Sequence, residues 1–241
     1  MKTCPALLLS LLASVSTASA ALINGQATID YDQTAWNALG SASGLPAPAL
    51  VLSEFFNEAA AAIRTDTQIN TDDLPGSPSY TGQIYAMNGS SVSNLAGRNN
   101  QPTTFSHTPG ALPAHTGVIG LAGIARFGTL IGPVSIGEFT LQYDASRNSP
   151  GQSGWYLNNN YGFPLAAFDL MNVSLTDTAS TLSISGDLGV APELAVGLLT
   201  TPGDSLDDVG NFTFTATVVP EASTGMLGLS ALVFFALRRR K

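Results

Sequence analysis

His107 and His115 are the chain's only histidines. They stand eight residues apart in a Pro-rich stretch with no carboxylate near them in sequence, which is not a zinc-ligand spacing. A Ser-His-Asp constellation is assembled in space, but no Gly-x-Ser-x-Gly elbow points to a nucleophile. Simple loop residues are the better reading of both. Asp30 with Asp32, Asp72 with Asp73, and Asp204 with Asp207 and Asp208 offer oxygen ligands of the kind calcium takes. None fits a calcium-binding loop pattern, and Asp in turns explains them more economically. Paired carboxylates also cleave glycosides, at separations of about 5 to 10 Å that sequence does not reveal. Trp155, Tyr156 and Tyr161 stand among Asn158, Asn159 and Asn160. Aromatic faces beside amides suit sugar stacking, while core or strand-edge positions are the plainer assignment. Gly117, Gly120, Gly123, Gly128 and Gly132 have neither dinucleotide-fold nor P-loop spacing and read as close-packed or bulged strands.

The elements that must position these residues are mostly strands. Leu182, Ile184, Leu188 and Val190 alternate with polar or small residues, and Phe212, Phe214, Ala216 and Val218 alternate with Asn211, Thr213, Thr215 and Thr217. That period of two marks sheets with one buried and one wet face. Val134 and Ile136 keep one phase; Phe139, Leu141 and Tyr143 keep the other, so a β-bulge is expected at Gly137-Glu138. Shorter strands are expected over 28–32, 82–87 and 103–106. Leu52, Phe55, Phe56, Ala59 and Ile63 recur at helical spacing, which predicts an amphipathic helix opening at Pro48. Pro192 suits the first turn of a short helix running to Leu199. Together these predict a mainly β body, an antiparallel β-sandwich or jelly roll with one amphipathic helix near its N-terminus.

Both ends carry export features. Met1-Lys2 is positive, Leu7 to Val15 is largely apolar, and Ala18-Ser19-Ala20 supplies small residues for cleavage after Ala20. This pattern predicts a signal peptide over 1–20. The only cysteine, Cys4, falls inside it, so the exported body has no disulfide and no thiol chemistry. At the other end Val219-Pro220-Glu221 precedes the uncharged run Ala222 to Leu237, and Arg238, Arg239, Arg240 and Lys241 follow. As a helix that run rises about 24 Å, short of a hydrocarbon core of about 30 Å but workable with thinning and snorkelling. The basic cluster is expected to stay cytoplasmic, leaving everything before Pro220 outside. An ordinary membrane anchor and a processed sorting signal share this physics.

Between the two signals, 21–219 holds four arginines, no lysine and sixteen acidic residues, a net charge of −12. Such a body cannot neutralise a row of phosphates, which excludes nucleic-acid binding. Its length fits one domain with a substantial core.

The tail resembles the PEP-CTERM sorting signal of exported proteins in polysaccharide-producing Gram-negative bacteria: a Val-Pro-Glu-Pro motif, a hydrophobic helix, then an Arg-rich end. Val219, Pro220 and Glu221 match, as do the uncharged run and Arg238 to Lys241; Ala222 replaces the second proline. The resemblance covers about one tenth of the chain, 220–241. Gly137 to Asp144, Gly154 to Asn159 and Asp208 to Thr215 are also similar, more weakly, to bodies borne by such proteins. The resemblance implies processing by signal peptidase and an exosortase, transient or lasting residence in the inner membrane, and delivery to the cell surface or an exopolysaccharide matrix. The expectation is therefore a non-catalytic structural or adhesive body without cofactor, metal or catalytic residues. The alternatives are a carbohydrate-binding or carbohydrate-active jelly roll and a plain membrane-anchored periplasmic protein.

Overall fold

The computed structural model describes residues 20–47, 49–112, 115–198 and 207–220. The predicted signal peptide up to Ser19, including Ala18, and the tail from Glu221 through the basic cluster lie outside the described residues. Among those described, no helix is long and apolar enough to cross a membrane.

The strands and helices follow in chain order. Strand β1 (Ala20–Tyr31), helix α1 (Gln33–Ala42), strand β2 (Val51–Phe56) and helices α2 (Glu58–Ala62) and α3 (Asp66–Thr71) form the first third. Strands β3 (Gln83–Met87), β4 (Ser106–His107), β5 (Ile119–Ala122), β6 (Ile124–Gly128), β7 (Val134–Gly137), β8 (Thr140–Ser149) and β9 (Gln152–Asn159) follow. Strands β10 (Leu165–Asp177) and β11 (Thr181–Val190), helix α4 (Pro192–Gly197) and strand β12 (Asp208–Pro220) complete the body.

The body is mainly β and antiparallel, but its main sheet is not half of a sandwich. Strands β12, β11, β10, β9, β8, β5, β3 and β1 pair in that order, and β1 pairs back onto β12. The sheet therefore closes as an eight-stranded barrel, with β4 attached to β1. Closure is carried by the first and last strands, from Ala20↔Pro220 to Tyr31↔Gly210, and it removes the free edges that an open sheet must protect. An eight-stranded barrel has an interior just wide enough for side chains. Ile29, Tyr85, Leu141, Leu157, Phe168, Ile184 and Phe214 fill it with no exposure at all. Along β12, Phe212, Phe214, Ala216 and Val218 are buried while Asn211, Thr213, Thr215 and Thr217 are exposed. Apolar-in and polar-out is the reverse of a membrane barrel's pattern.

The predicted helix from Pro48 is instead a strand followed by a short helix. Leu52, Glu54 and Phe56 point inward at period two, and Val51–Phe56 pairs with β6. Asn57 then ends the strand by capping α2, its Oδ1 accepting the Ala60 amide at 3.0 Å. Tertiary pairing has overridden the helical spacing of Leu52, Phe55 and Phe56, and it turns the acidic Glu54 inward in place of Phe55. Ile63, assigned to the apolar stripe, is 71% exposed. Among the described residues the helix nearest the N-terminus is α1, started by Asp32, whose Oδ1 accepts from the Thr34 and Ala35 amides. It delivers Trp36 to one end of the barrel, stacked on Phe127 at 4.3 Å and edge-on to Tyr31 and Phe168. The predicted helix at Pro192 is present as α4.

The phase slip at Gly137-Glu138 is a change of sheet rather than a bulge. β2, β6 and β7 form a separate three-stranded sheet, and the chain leaves β7 for the barrel at Glu138. A Cβ on Gly137 would lie 2.2 Å from the Gly123 carbonyl oxygen, so only glycine allows this crossing. Glu138 takes a left-handed backbone, φ 48°, and its side chain is fully buried.

Candidate functional site

The strongest convergence of features lies at the barrel end opposite Trp36. Ala20 and Pro220 are cross-strand partners there, as are Ala21 and Val219. The predicted signal-cleavage residue Ala20 and the sorting-motif residues Val219 and Pro220 are thus neighbours in one seam. Val219 is 41% exposed. Ala20 also pairs with His107.

Of the two histidines expected in loops, His115 lies in one and His107 does not. His107 is in β4 with a buried side chain, and its Nε2–H donates to Asp177 Oδ1 at 2.9 Å. Asp177 Oδ2 accepts the Gly110 amide at 2.8 Å. This carboxylate comes from β10, seventy residues away, and no local spacing could announce it. Among the described residues His107 Nδ1 has no partner. His115 donates from Nδ1 to the Leu112 carbonyl at 2.8 Å. Its ring stacks on Phe105 at 5.1 Å and on Trp155 at 5.2 Å, with Tyr143 edge-on.

This aromatic wall forms one side of an apolar pocket. β10 outruns β9 beyond Met171, whose partner is Gln152, so the inner face of its last residues loses its neighbour. Val173, Leu175 and the buried Leu112 also line the pocket; with the solvent at its mouth the space measures about 600 Å³. Leu175 is paired with the buried Ile184 yet remains 46% exposed.

The predicted aromatic-amide cluster splits. Trp155 and Tyr161 are buried, with Asn159 and Asn160 buried beside them. Asn159 Oδ1 accepts the Gly137 amide at 2.8 Å and Asn160 Nδ2 donates to the Glu138 carbonyl at 2.7 Å, so both brace the sheet change. Tyr161 donates to the Asp66 carbonyl at 3.1 Å, and burial pushes its hydroxyl above the ordinary value. Only Tyr156 and Asn158 face the outer surface, in a polar groove with Asp144, Arg147 and Glu193. The Arg147 guanidinium sits 4.7 Å over the Tyr156 ring and donates to both oxygens of Asp169, at 2.9 and 3.0 Å, and to Glu193. Burial pushes the Asp169 carboxyl up, and Arg147 offsets only part of that rise.

The acidic pairs have other work. Asp30 accepts the Gly82 amide, Asp32 caps α1, Asp72 pairs with Arg64, Asp73 with Arg126, and Asp208 accepts the Gly210 amide. Asp204 lies outside the described residues. No group of three or more His, Cys, Asp or Glu among the described residues has metal-site geometry. Gly120 is a close-packed strand residue, since a Cβ there would lie 2.0 Å from the Gln101 carbonyl oxygen. Sequence reasoning missed Arg98 as the partner of Glu138; four arginines in a lysine-free body were the available signal.

No known protein family, curated protein or solved structure matches the chain.

Proposed function

We propose that the chain is an exported protein whose barrel is a structural or adhesive body, delivered to the cell surface or extracellular matrix by its C-terminal segment. What supports this reading is the pairing of Ala20 with Pro220. It makes the predicted signal peptide and the predicted membrane-seeking tail leave the barrel at the same end, so one pole faces the bilayer throughout export. The stretch 220–241 then acts as the PEP-CTERM-like signal, with signal peptidase and an exosortase as its processing partners. A barrel packed solid and free of cysteine suits a body that must persist outside the cell on its core alone. Expressing the full chain in a Gram-negative host tests the reading: the body belongs in the non-cytoplasmic fractions, and retention of the unprocessed chain in the cytoplasm overturns it.

A second reading, binding of an exopolysaccharide, draws on Tyr156 and Asn158 in the polar groove beside Arg147. A glycan array separates the two: selective retention of one glycan, lost in Tyr156→Ala, favours binding, and hydrolysis of any polysaccharide contradicts a non-catalytic body.

A further inference from the structure

The apolar pocket at the barrel mouth lies two strands from the point where the chain leaves the barrel. β12 ends at Pro220, β11 lies beside it, and β10 carries Val173 and Leu175 beside β11. Leu175 is level with Ile184 of β11 and Phe214 of β12, so Pro220 lies about 10 Å away across two strand spacings and about 20 Å along the strands, a separation of about 22 Å. Extended, seven residues from Pro220 to Leu227 span about 24 Å and nine to Leu229 about 31 Å. Leu227 and Leu229 therefore come within reach of the pocket along an extended path, and Met226 does so with the length of its own side chain added. The wall is also right for them. His115, Tyr143 and Trp155 offer flat apolar surface, and Val173 and Leu175 offer branched aliphatic surface. A flexible Met beside Leu fills such a space readily. Charge acts in the same sense: the basic cluster Arg238 to Lys241 is drawn toward a body of net charge −12.

We propose that this pocket is a docking site for the chain's own segment after Pro220, which it holds through Met226, Leu227 and Leu229 whenever no bilayer takes them up. The pocket thereby shields apolar surface that would otherwise draw chains together, and a membrane competes for the same side chains. Docking itself stands independently of the sorting reading; only the bilayer competition rests on it.

The test uses the full chain carrying Cys4→Ser, with Leu175→Cys and Leu227→Cys as a reporter pair. Air oxidation with a copper catalyst in bilayer-free buffer is expected to form an intramolecular disulfide in the monomer. Its yield should be roughly tenfold or more above that of an Ile131→Cys and Leu227→Cys control on the opposite end, because a short linker holds the local concentration near millimolar. Adding phosphatidylcholine vesicles should lower the yield. Equal yields in the two pairs overturn the proposal. So does a disulfide that forms only between chains when the single-cysteine variants are mixed, since the occupant is then a second copy. A nitroxide on Leu227→Cys provides a readout that leaves the pocket residues untouched: it should quench Trp155 but not Trp36, and absence of quenching also overturns docking. Failure to associate with vesicles while the disulfide still forms counts against the sorting reading alone.

Discussion

Arg98 grips Glu138 where the chain changes sheets: its Nε donates to Glu138 Oε1 at 2.7 Å, while Nη1 donates to the carbonyls of Ala61 and Arg64 at 2.6 and 2.9 Å. Glu138 Oε2 also accepts the Asn99 amide at 3.2 Å. One guanidinium thus ties the α2 region to the junction between barrel and small sheet. Removing one partner of a buried pair strands the other charge, at about 3–5 kcal/mol. Arg98→Met is expected to lose that much in urea unfolding. The double variant with Glu138→Gln should recover part of it, because no charge then remains buried.

Trp36 makes its contribution through its rings alone. Its Nε1 is buried without a partner among the described residues, and it stacks on Phe127. Trp36→Phe therefore forfeits no hydrogen bond and should cost under about 1.5 kcal/mol, whereas Trp36→Ala should cost about 3–5. Equal losses in the two variants would contradict this packing account.

Buried tyrosines make the fold sensitive to alkali. Tyr31 and Tyr85 share a hydrogen bond of 2.7 Å, and burial holds both hydroxyls above the ordinary 10.0, as it does Tyr161. Above that value the unfolded chain releases protons that the folded chain retains. The stabilisation these groups give is therefore complete below pH 10 and is lost as pH rises beyond it. Unfolding free energy measured from pH 8 to 11.5 should fall at the alkaline end, about 1.4 kcal/mol per pH unit for each such tyrosine. Tyr85→Phe should flatten the slope.

Asp177 links the loop bearing Gly110 to the end of β10 through His107. Asp177→Ala leaves both ring nitrogens of a buried histidine without a side-chain partner, an expected cost of about 1–3 kcal/mol. Hydrogen exchange should quicken at Gly110 and leave the α1 amides unchanged.

Alternation in β11 and β12 was legible because each strand has one wet face, and Pro192 marked α4 because proline favours a first turn. Closure of the barrel was not legible. It pairs Ala20 with Pro220, and no period or spacing encodes which strands meet from opposite ends of a chain. Val51–Phe56 deceived because Leu52, Phe55 and Phe56 keep helical spacing, while the strand that β6 imposes turns Glu54 inward between Leu52 and Phe56. The tail's Pro-Glu dipeptide, uncharged run and basic end were legible as a sequence pattern. The pocket was not, since Leu112, Tyr143, Trp155 and Leu175 meet only where β10 outruns β9.

Mass spectrometry of the protein's mature termini in its producing cell tests export and sorting most directly. The account predicts material outside the cytoplasm that begins at Ala21 and lacks Arg238 to Lys241. A cytoplasmic chain beginning at Met1 with the basic cluster intact would contradict it.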